Sequence, residues 1–409
     1  MNFLKSIYHF ILAWAGAVIY GFPSRKMFVL GVTGTKGKST TLELINAALE
    51  SAGKKTALVS SVRFKVGDQT TKNSTGMSMP GRFVLQRLLW RAARAGCQYA
   101  LIEVTSQGVL QHRHRFIDFD AAVLTNVHPE HIEAHGSFEK YRQAKVSFFE
   151  DVAEYSKKAK KYFFINEADK SADHFAAAAD RNTEVIYFSR EAFIRRELGG
   201  GLESMGDWLA SNFNLENAAG ATAFVYTQGI GWPVIKKTFE DFKGVPGRLE
   251  YIQREPFSVL IDYAHTPDSL EKVYGTARNS MTGARSKLIC VLGAAGGGRD
   301  KWKRPAMGKI ASEYCEKVVL TNEDPYDESP ESIINEIATG FSRPESGGKE
   351  FLKILDRREA IAKAISFAKK GDVVVMTGKG SEDWIHVARG QKIPWNERMA
   401  VEEILKTSA

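Results

Sequence analysis

Short apolar runs of strand length alternate with segments of helical periodicity along most of this chain. In the first half, such runs predict strands at 27–30, 56–60, 99–104, 121–125 and 162–165. Apolar residues at helical spacing lie between them, as in the segment from Arg82 to Ala95. Strands that alternate with helices in this way predict an α/β fold with a mostly parallel sheet.

A second series of strands and helices begins after a segment rich in glycine and proline, Gly244-Val245-Pro246-Gly247-Arg248. Its apolar runs predict strands at 258–261, 287–292, 317–320 and 372–376. A chain of 409 residues is long enough for two or three domains with cores of their own. We therefore predict a central domain at 27–245 and a C-terminal, Rossmann-like α/β domain at 246–409.

The first 26 residues form a separate apolar segment. Between Ile7 and Phe22 only His9 is clearly polar, and the basic pair Arg25 and Lys26 follows. A helix of this length would measure about 24 Å, which is less than the roughly 30 Å hydrocarbon core of a bilayer. Aromatic and basic residues suit peripheral contact with a membrane. A helix docked on the next domain or on a second subunit explains the same pattern.

The segment Gly34-Thr35-Lys36-Gly37-Lys38-Ser39-Thr40 has the composition of a phosphate-binding loop and stands between a predicted strand and a helical pattern. Backbone N–H groups of such a turn can surround phosphate oxygens, Lys38 can reach the terminal phosphates, and the Ser39 hydroxyl can bind Mg²⁺. Counted from Gly31, the motif is one residue longer than the strict eight-residue form. The segment predicts a P-loop-type ATPase domain that binds ATP.

Polar residues follow two further predicted strands. Glu103 comes near the end of one, and the segment 125–131 follows the next. Ligands collect at the carboxyl ends of parallel strands, so Glu103 and His131 could bind a divalent cation together with Ser39. An ordinary loop carboxylate and a packed or surface histidine would explain the same two residues.

The composition is that of a globular protein, with 44% hydrophobic and 25% charged residues. The net charge of +8 comes from Lys and Arg residues spread along the chain, without a basic stripe interleaved with aromatic residues. This distribution favours an enzyme for anionic substrates over a nucleic-acid-binding protein. Cys97, Cys290 and Cys315 lack metal-type spacing and predict buried, reduced thiols in a cytoplasmic protein.

A series of short motifs resembles the Mur ligase family, and within it the MurE-like branch, the UDP-N-acetylmuramoyl-tripeptide synthetases. The segment DYAHTPDSL (262–270) is the most specific to that branch. The other motifs are GTKGKS (34–39), NSTG (73–76), EVTSQGVLQHR (103–113), TNVHPEH (125–131), HGSFEKYRQAK (135–145), NFNLEN (212–217), VPGRLE (245–250), GGGRDKWKRP (296–305) and GKGSE (378–382).

The resemblance implies an ATP-dependent amide ligase of peptidoglycan biosynthesis. ATP would phosphorylate the terminal carboxylate of a nucleotide-linked muramoyl-peptide, and the amine of a free amino acid would displace the phosphate. The family pattern assigns catalysis to Lys38, Glu103, His131 and Lys145. It implies one Mg²⁺ ion at Ser39 and Glu103, and a second at His131 and a carbamylated Lys145. Without the resemblance, Lys145 would be interpreted as a solvated helix lysine.

Matching the family's motifs assigns three further groups of residues. The nucleotide site is implied to comprise the loop 34–40 together with Asn217, Arg248, Asp262 and His265. Contact with the muramoyl-peptide is implied for Ser74, Thr75, Ser106, Gln111 and Arg113. The pocket for the incoming amino acid is implied to contain Arg299, Asp324, Tyr326, Gly378 and Glu382.

The chain departs from the family pattern at three places. About 27 residues precede the first strand where the family has a domain for the uridine end of its substrate, so a UDP-linked substrate would be held differently. Glu323-Asp324-Pro325-Tyr326 stands where diaminopimelate-adding members have Asp-Asn-Pro-Arg, so Tyr326 replaces the arginine for the distal carboxylate. Glu130 replaces an aspartate, and Ser381 a histidine. With Asp324 and Glu382 present, we expect lysine or a similar amino acid to be preferred.

Two other functions compete with this one. A related ligase with another acceptor, such as a folylpolyglutamate or poly-amino-acid synthetase, would share the ATP site, but the motifs at 73–76, 111–113 and 262–270 argue against folate. A non-catalytic ATP-binding subunit would not need the intact set of Lys38, Glu103, His131 and Lys145.

Overall fold

The computed structural model describes residues 3–75, 77–130, 132–199, 207–281, 283, 285–341 and 351–408. The chain divides into two compact units, of which the first ends at Lys243 and the second begins at Gly244. This division falls beside the domain boundary at 245/246 that the sequence predicts.

The described part of the first unit contains ten α-helices and eight strands. The helices are α1 Phe3–Ile19, α2 Lys38–Ser51, α3 Arg82–Arg94, α4 Ser106–Leu110, α5 Ile132–His135, α6 Phe138–Tyr155, α7 Ala172–Ala176, α8 Arg190–Glu197, α9 Asn212–Thr227 and α10 Trp232–Asp241. The strands are β1 Phe28–Thr33, β2 Thr56–Val59, β3 Arg63–Val66, β4 Gln69–Lys72, β5 Tyr99–Glu103, β6 Ala121–Leu124, β7 Lys161–Asn166 and β8 Thr183–Phe188.

These strands form one sheet in the order β4-β3-β2-β5-β1-β6-β7-β8. The central strand β1 pairs in parallel with β5 and β6, while β3 and β4 add an antiparallel hairpin at one edge. Helices α2, α9 and α10 pack on one face and α3, α6 and α7 on the other, because the central strands are apolar on both sides. The predicted α/β fold with a mostly parallel sheet is confirmed.

The first strand is longer than the predicted run at 27–30, because β1 continues to Thr33 and includes Gly31. A Cβ atom on Gly31 would lie 2.4 Å from Cζ of Phe148, in helix α6. Gly31 therefore allows α6 to approach the sheet, and the phosphate-binding loop itself begins at Gly34. This explains why the motif, counted from Gly31, is one residue too long.

The second unit contains five α-helices and eight strands within its described residues. The helices are α11 Pro267–Asn279, α12 Lys303–Tyr314, α13 Pro330–Ala338, α14 Arg357–Ser366 and α15 Glu397–Ser408. The strands are β9 Glu250–Gln253, β10 Ser258–Asp262, β11 Leu288–Leu292, β12 Lys317–Leu320, β13 Phe351–Lys353, β14 Val373–Thr377, β15 Trp384–His386 and β16 Lys392–Pro394.

A sheet in the order β13-β12-β11-β14-β10-β9 forms the centre of this unit. Only its edge strand β9 pairs antiparallel to its neighbour, and β15 and β16 form a separate hairpin. Helices α14 and α15 share one hydrophobic core with β10, β11, β12 and β14. The predicted Rossmann-like α/β architecture is confirmed.

The prediction of reduced thiols is wrong for two of the three cysteines. Cys290 in β11 and Cys315, directly after α12, form a disulfide with their Cα atoms 6.2 Å apart. Helix α12 runs back along the sheet and ends beside β11, which brings the two cysteines together. The separation of 25 residues in the sequence does not reveal this. Cys97 is a buried free thiol, as predicted.

Helix α1 packs on the first unit, which is the docked arrangement that the sequence left open. Ala13 and Ala17 are buried, and the Ser6 hydroxyl lies 2.8 Å from Nε2 of His112. Among the described helices, none combines the length and the apolarity needed to cross a bilayer.

Candidate active site

The loop between β1 and α2 has a backbone shape that favours glycine at two positions. The φ angles of Gly34 and Gly37 are 152° and 84°. A Cβ atom on Gly34 would lie 1.9 Å from the Thr125 hydroxyl oxygen, and one on Gly37 would lie 2.1 Å from Oδ1 of Asn217. The loop is therefore closely packed at the N-terminus of α2, where backbone N–H groups and the helix dipole stabilise anions. Asn217, assigned to the nucleotide site, lies against it.

Residues after β6 hold the loop in this shape. The Thr35 N–H donates to the Asn126 carbonyl oxygen at 2.7 Å, and the Lys36 N–H donates to Oδ1 of Asn126 at 3.0 Å. The Thr125 hydroxyl donates to the Lys36 carbonyl oxygen at 2.6 Å. Sequence reasoning did not select Thr125 or Asn126, although both lie in a motif that carries the resemblance.

The two lysines of the loop have defined partners. Nζ of Lys38 donates to the carbonyl oxygens of Gly34 and Thr35, at 3.0 and 2.9 Å. Nζ of Lys36 forms an ion pair with Oε1 of Glu130 at 2.9 Å. The Lys38 ammonium therefore lies over the loop, and Lys36 connects the loop to the segment after β6.

Ser39 and Glu103 meet at the carboxyl edge of the sheet. The Ser39 hydroxyl donates to Oε2 of Glu103 at 2.9 Å, and the same oxygen accepts from the Ser61 N–H at 2.9 Å. Mg²⁺ prefers oxygen ligands and keeps water and substrate phosphates in its shell, so this pair fits the expected ion. His131 lies outside the described residues, and in the described part no cluster of three His, Cys, Asp or Glu residues could hold a metal by itself. Thr40 is buried beside Ser39 in the first turn of α2.

Lys145 is almost fully buried, at 1% exposure. Its Nζ donates to the Gly34 carbonyl oxygen at 2.8 Å and lies 4.7 Å from the centroid of the Tyr141 ring. Burial, and next the charge of Lys38, lowers the pKa of Lys145 well below its ordinary value. The interpretation of Lys145 as a solvated helix lysine is therefore wrong, because its side chain reaches the phosphate-binding loop.

The other residues assigned to the nucleotide lie at the carboxyl end of β10, in the second unit. Asp262 accepts hydrogen bonds from two backbone N–H groups, both at 2.7 Å. The Arg248 guanidinium lies 4.2 Å from the centroid of the Tyr263 ring, and Nδ1 of His265 lies 2.8 Å from the Tyr263 carbonyl oxygen. Tyr263, which sequence reasoning missed, therefore brings Arg248 and His265 together.

The residues assigned to the muramoyl-peptide form two groups in the first unit. Ser74 and Thr75 are exposed in the turn after β4, and the Thr75 N–H donates to Oδ1 of Asn73 at 3.0 Å. Gly76, which completes this motif, lies outside the described residues.

The second group lies on and after α4. The Ser106 hydroxyl is 3.2 Å from Nε2 of His135, and the Arg113 guanidinium donates to Oε1 of Gln111 at 2.7 Å. Burial lowers the pKa of Arg113 from its ordinary value. The structure thus fixes the direction of a guanidinium that is able to bind an anionic group in two contacts.

The residues assigned to the incoming amino acid follow β11, β12 and β14, three neighbouring strands. Lys379, which sequence reasoning missed, donates to Oδ1 of Asp324 at 2.8 Å and to Oε2 of Glu382 at 2.6 Å. The expected acidic character of Asp324 and Glu382 is therefore offset by one buried cation. Lys379 lies inside the motif at 378–382, which is the signal that could have identified it.

Tyr326 occupies the position at which the motif of diaminopimelate-adding members has an arginine. Its φ is 52°, its ring stacks on His386 with centroids 5.1 Å apart, and its side chain, although burial opposes the shift, raises the pKa of the nearby Arg299. Gly378 has φ of 103°, and a Cβ atom there would lie 2.3 Å from Oε2 of Glu323. The residues assigned to the incoming amino acid are therefore closely packed around an aromatic ring and a buried carboxyl.

That carboxyl, Glu323, is a second residue that sequence reasoning did not assign to a role. Burial, and next the Asp324 charge, raises the pKa of Glu323 to about 7. Its Oε2 atom is buried without a hydrogen-bond partner among the described residues. Glu323 is thus a carboxyl that titrates near neutral pH beside the predicted amino-acid pocket.

Comparison with known proteins places the chain in a family. Residues 32–225 match the Mur ligase middle domain, and residues 247–380 match the Mur ligase, glutamate ligase domain. The UDP-N-acetylmuramyl-tripeptide synthetase of Roseiflexus sp. (strain RS-1) is 37% identical over 94% of this chain and 80% of its own length. The UDP-N-acetylmuramoyl-L-alanyl-D-glutamate--2,6-diaminopimelate ligase of Syntrophomonas wolfei subsp. wolfei (strain DSM 2245B / Goettingen) is 35% identical, over 97% and 81%.

A solved structure of Mycobacterium tuberculosis folylpolyglutamate synthase has a TM-score of 0.68 over 90% of this chain and 92% of its own. Its identity is 18%, so this likeness shows the fold alone. The two domain matches and the identity to the tripeptide synthetases are specific. The chain therefore belongs to the Mur ligase family, and within it to the MurE-like, ATP-dependent C–N ligases of peptidoglycan synthesis.

Proposed function

We propose that this protein joins a free amino acid to the terminal carboxylate of a muramoyl-peptide in the cytoplasm, with conversion of ATP to ADP and phosphate. The observation that carries the proposal is the hydrogen-bonded pair of Ser39 and Glu103 beside a loop that only glycine can close. This combination provides a phosphate site and oxygen ligands for Mg²⁺ at one edge of the sheet.

The reaction has to bring together two anions, the triphosphate of ATP and a carboxylate. Backbone N–H groups at the start of α2 and the Lys38 ammonium provide positive potential around the phosphates. Mg²⁺, held by Ser39 and Glu103, would neutralise further phosphate charge when bound. The residues of the loop thereby reduce the repulsion that opposes attack by a carboxylate.

The chemistry balances in two steps. A carboxylate oxygen of the muramoyl-peptide bonds to the γ-phosphorus, and the bond from the γ-phosphorus to the bridging β–γ oxygen breaks. ADP departs, and the muramoyl-peptide carries an acyl phosphate. The neutral amine of the amino acid then adds to the acyl carbon. The tetrahedral intermediate expels phosphate, and the nitrogen loses a proton. The products are an amide, ADP and phosphate.

We also propose that Lys145 is carbamylated. A neutral amine adds CO₂ to form a carbamate and releases one proton, which replaces a cation by an anionic oxygen ligand of the kind Mg²⁺ prefers. The burial of Lys145 supports this, because an ammonium is disfavoured away from water. The hydrogen bond from the Lys145 amine to the Gly34 carbonyl oxygen, beside the phosphate-binding loop, also supports the proposal. The carbamate and His131 would together hold a second ion.

The donor and acceptor sites are proposed from the residues around them. Arg113, oriented by Gln111, suits an anionic group of the muramoyl-peptide, whether the carrier is UDP or another group. Arg299 is available to the α-carboxylate of the incoming amino acid. Because Tyr326 stands where a distal cation would be, we propose lysine or a similar amino acid as the acceptor.

A product assay tests this function. The protein is incubated with ATP, Mg²⁺, UDP-N-acetylmuramoyl-dipeptide and pooled amino acids, and the products are identified by mass while ADP is measured. We expect one new amide, formed with one ADP, and neither product with the Lys38→Ala variant, which lacks the cation on the loop. The exposed Lys140→Ala variant serves as the matched control. Release of ADP only with a folate acceptor, or no release with any acceptor, would contradict the proposal.

A further inference from the structure

Helix α1 has its small and large side chains on unexpected sides. The residues that face the first unit are small, with Ala13 at 1% and Ala17 at 0% exposure. Most of the large apolar residues are exposed instead. They are Leu4, Ile7, Tyr8, Ile11, Trp14, Val18 and Ile19. A helix that only stabilised its own domain would bury its large apolar residues, so this outward face points to a second, apolar environment.

The helix is fixed in this orientation by its contacts. A Cβ atom on Gly16 would lie 3.5 Å from the Gln86 side chain and 3.7 Å from Cα of Phe83, both in α3. At the N-terminal half, the Phe10 ring lies 5.1 Å from that of Phe116. Close approach through Gly16 places α3 directly beside α1, so the surfaces of the two helices adjoin.

The exposed surface of α3 adds cations to this apolar face. Phe83, Arg87, Arg91 and Arg94 are exposed and lie on one stripe, because their spacing is three or four residues. The segments 3–26 and 82–94 contain no aspartate or glutamate. Their basic residues are Lys5, Arg25, Lys26, Arg82, Arg87, Arg91 and Arg94. The combined surface of α1 and α3 is therefore apolar in one part, basic in the other, and without acidic side chains of its own.

We propose that the surface formed by α1 and α3 docks on an anionic phospholipid bilayer. The outward residues of α1 would enter the region between headgroups and acyl chains, and the α3 arginines would contact lipid phosphates. Tyr8 and Trp14, with their apolar bodies and polar tips, suit the headgroup level. The ligation reaction does not require this contact, so the inference extends beyond the proposed function.

Charge selects the bilayer over a second copy of this chain. A symmetric dimer through this surface would place the same cations opposite each other without acidic partners from either helix. An anionic lipid surface complements both the arginines and the apolar residues. The charge pattern therefore favours lipid as the partner.

Vesicle flotation tests the proposal with the full-length protein. Vesicles of phosphatidylcholine alone are compared with vesicles in which phosphatidylglycerol makes up about 30% of the lipid. We expect binding to the anionic vesicles. Ile11→Glu should weaken this binding about tenfold or more, because it puts a charge where an apolar side chain would enter the lipid. Arg87→Gln should weaken binding about fivefold, the effect of one cation near an anionic surface.

Ile393→Glu is the matched control, because Ile393 in the second unit is 51% exposed and Ile11 is 54% exposed. This control should bind as the unchanged protein does, and all three variants should keep ADP release with muramoyl-peptide in solution. Absence of binding to anionic vesicles would overturn the proposal. So would equal loss with Ile393→Glu, or a dimer in light scattering that Ile11→Glu dissociates. Failure of the ligase assay alone would contradict the proposed function and leave the vesicle result unaffected.

Discussion

Lys145 provides an amine in the interior of the first unit, next to the phosphate-binding loop. If its carbamate serves as a ligand, Lys145→Ala should lose ligase activity, and short carboxylates such as formate or acetate should restore part of it by occupying the vacated space. Lys140→Ala, an exposed lysine of the same helix, should keep full activity. The measurement is ADP release with increasing carboxylate concentration. Full activity of Lys145→Ala, or an inactive variant that no carboxylate restores, would contradict a carbamate ligand.

Glu323 predicts a pH-dependent stability. Its pKa is about 7 in the folded chain, compared with 4.5 for an unperturbed glutamate, so the folded state binds the proton more tightly than the unfolded chain. Its stabilising contribution is full below about pH 4.5 and is lost as the pH rises through about 7. At pH 8, Glu323→Gln should raise the free energy of unfolding by roughly 3 kcal/mol, and the gain should fall to about 1 kcal/mol or less at pH 5.

Urea denaturation of the variant and of the unchanged protein at pH 5 and pH 8 measures this difference. Glu359 is exposed in α14 of the same unit, so Glu359→Gln is the control. It should change the free energy of unfolding only slightly, and by the same amount at both pH values. A Glu323→Gln variant that is equally destabilised at both pH values would show that the carboxyl is ionised throughout.

Among the elements, β1 depends on Gly31. An alanine there would place Cβ 2.4 Å from Cζ of Phe148 and 3.0 Å from Cε1 of Phe119. The crowding should lower the free energy of unfolding by about 1–3 kcal/mol, and Phe148→Leu in the same chain should recover part of the loss. Gly81→Ala, where the added Cβ meets open space, is the control. Thermal or urea unfolding decides the outcome, and an unchanged stability of Gly31→Ala would contradict the close packing of α6 on the sheet.

The disulfide joins β11 to the end of α12. Changing both cysteines to alanine should lower the free energy of unfolding of the second unit by about 2–4 kcal/mol, because the unfolded chain loses a constraint. Thiol titration of the unfolded protein should detect one reactive thiol without reductant, since Cys97 is the only free cysteine and the chain has three. Three reactive thiols before reduction would show that Cys290 and Cys315 are not joined.

The central parallel strands were predictable because each is a continuous apolar run, as a strand covered on both faces requires. The parallel edge strands β8 and β13 were not predicted, since neither is buried along its whole length. The hairpin of β3 and β4 was not predicted, since β4 is exposed along its whole length and has no apolar face. Likewise β9 is half-buried throughout, so its polar and apolar residues do not alternate clearly. Edge strands of this kind are specified by pairing with a neighbour, which local sequence does not contain.

At the candidate site, sequence identified one local feature, the phosphate-binding loop. It also identified the pair of Ser39 and Glu103, because the carboxyl ends of parallel strands meet at one edge of the sheet. The loop 34–40 is one continuous segment between a strand and a helix, so its own glycines identify it, although Thr125 and Asn126 hold it in shape. Lys379 was missed because its partner Asp324 is 55 residues away. The burial of Lys145 depends on the packing of α6 against the sheet, which residue spacing alone did not show.

For the molecule as a whole, the proposed reaction divides between the two units. The first unit contains the loop for the phosphates of ATP and the residues assigned to the muramoyl-peptide. The second contains the residues assigned to the amino acid. We therefore expect the choice of the incoming amino acid to depend on the second unit, where β11, β12 and β14 end.

The predicted acceptor preference rests on the cations near the residues assigned to the amino acid. Arg304 cannot replace the missing distal arginine, because it is fully buried and pairs with Glu328 at 3.1 Å and Glu336 at 2.8 Å. Lys379 is held by two carboxylates, as described above. With Tyr326 in the arginine position, we predict that lysine or a similar amino acid is used better than meso-diaminopimelate.

The ratio of kcat/KM for the two acceptors measures this preference. A missing charge-assisted hydrogen bond costs about 1.5–3 kcal/mol, which corresponds to roughly 10- to 150-fold in kcat/KM. Tyr326→Arg should move the ratio toward meso-diaminopimelate, because a guanidinium can bind its distal carboxylate. Tyr326→Phe, which keeps the ring without adding charge, should leave the preference as it is. A clear preference of the unchanged protein for meso-diaminopimelate would mean that another cation reaches the pocket, and Tyr326 would then not determine the substrate.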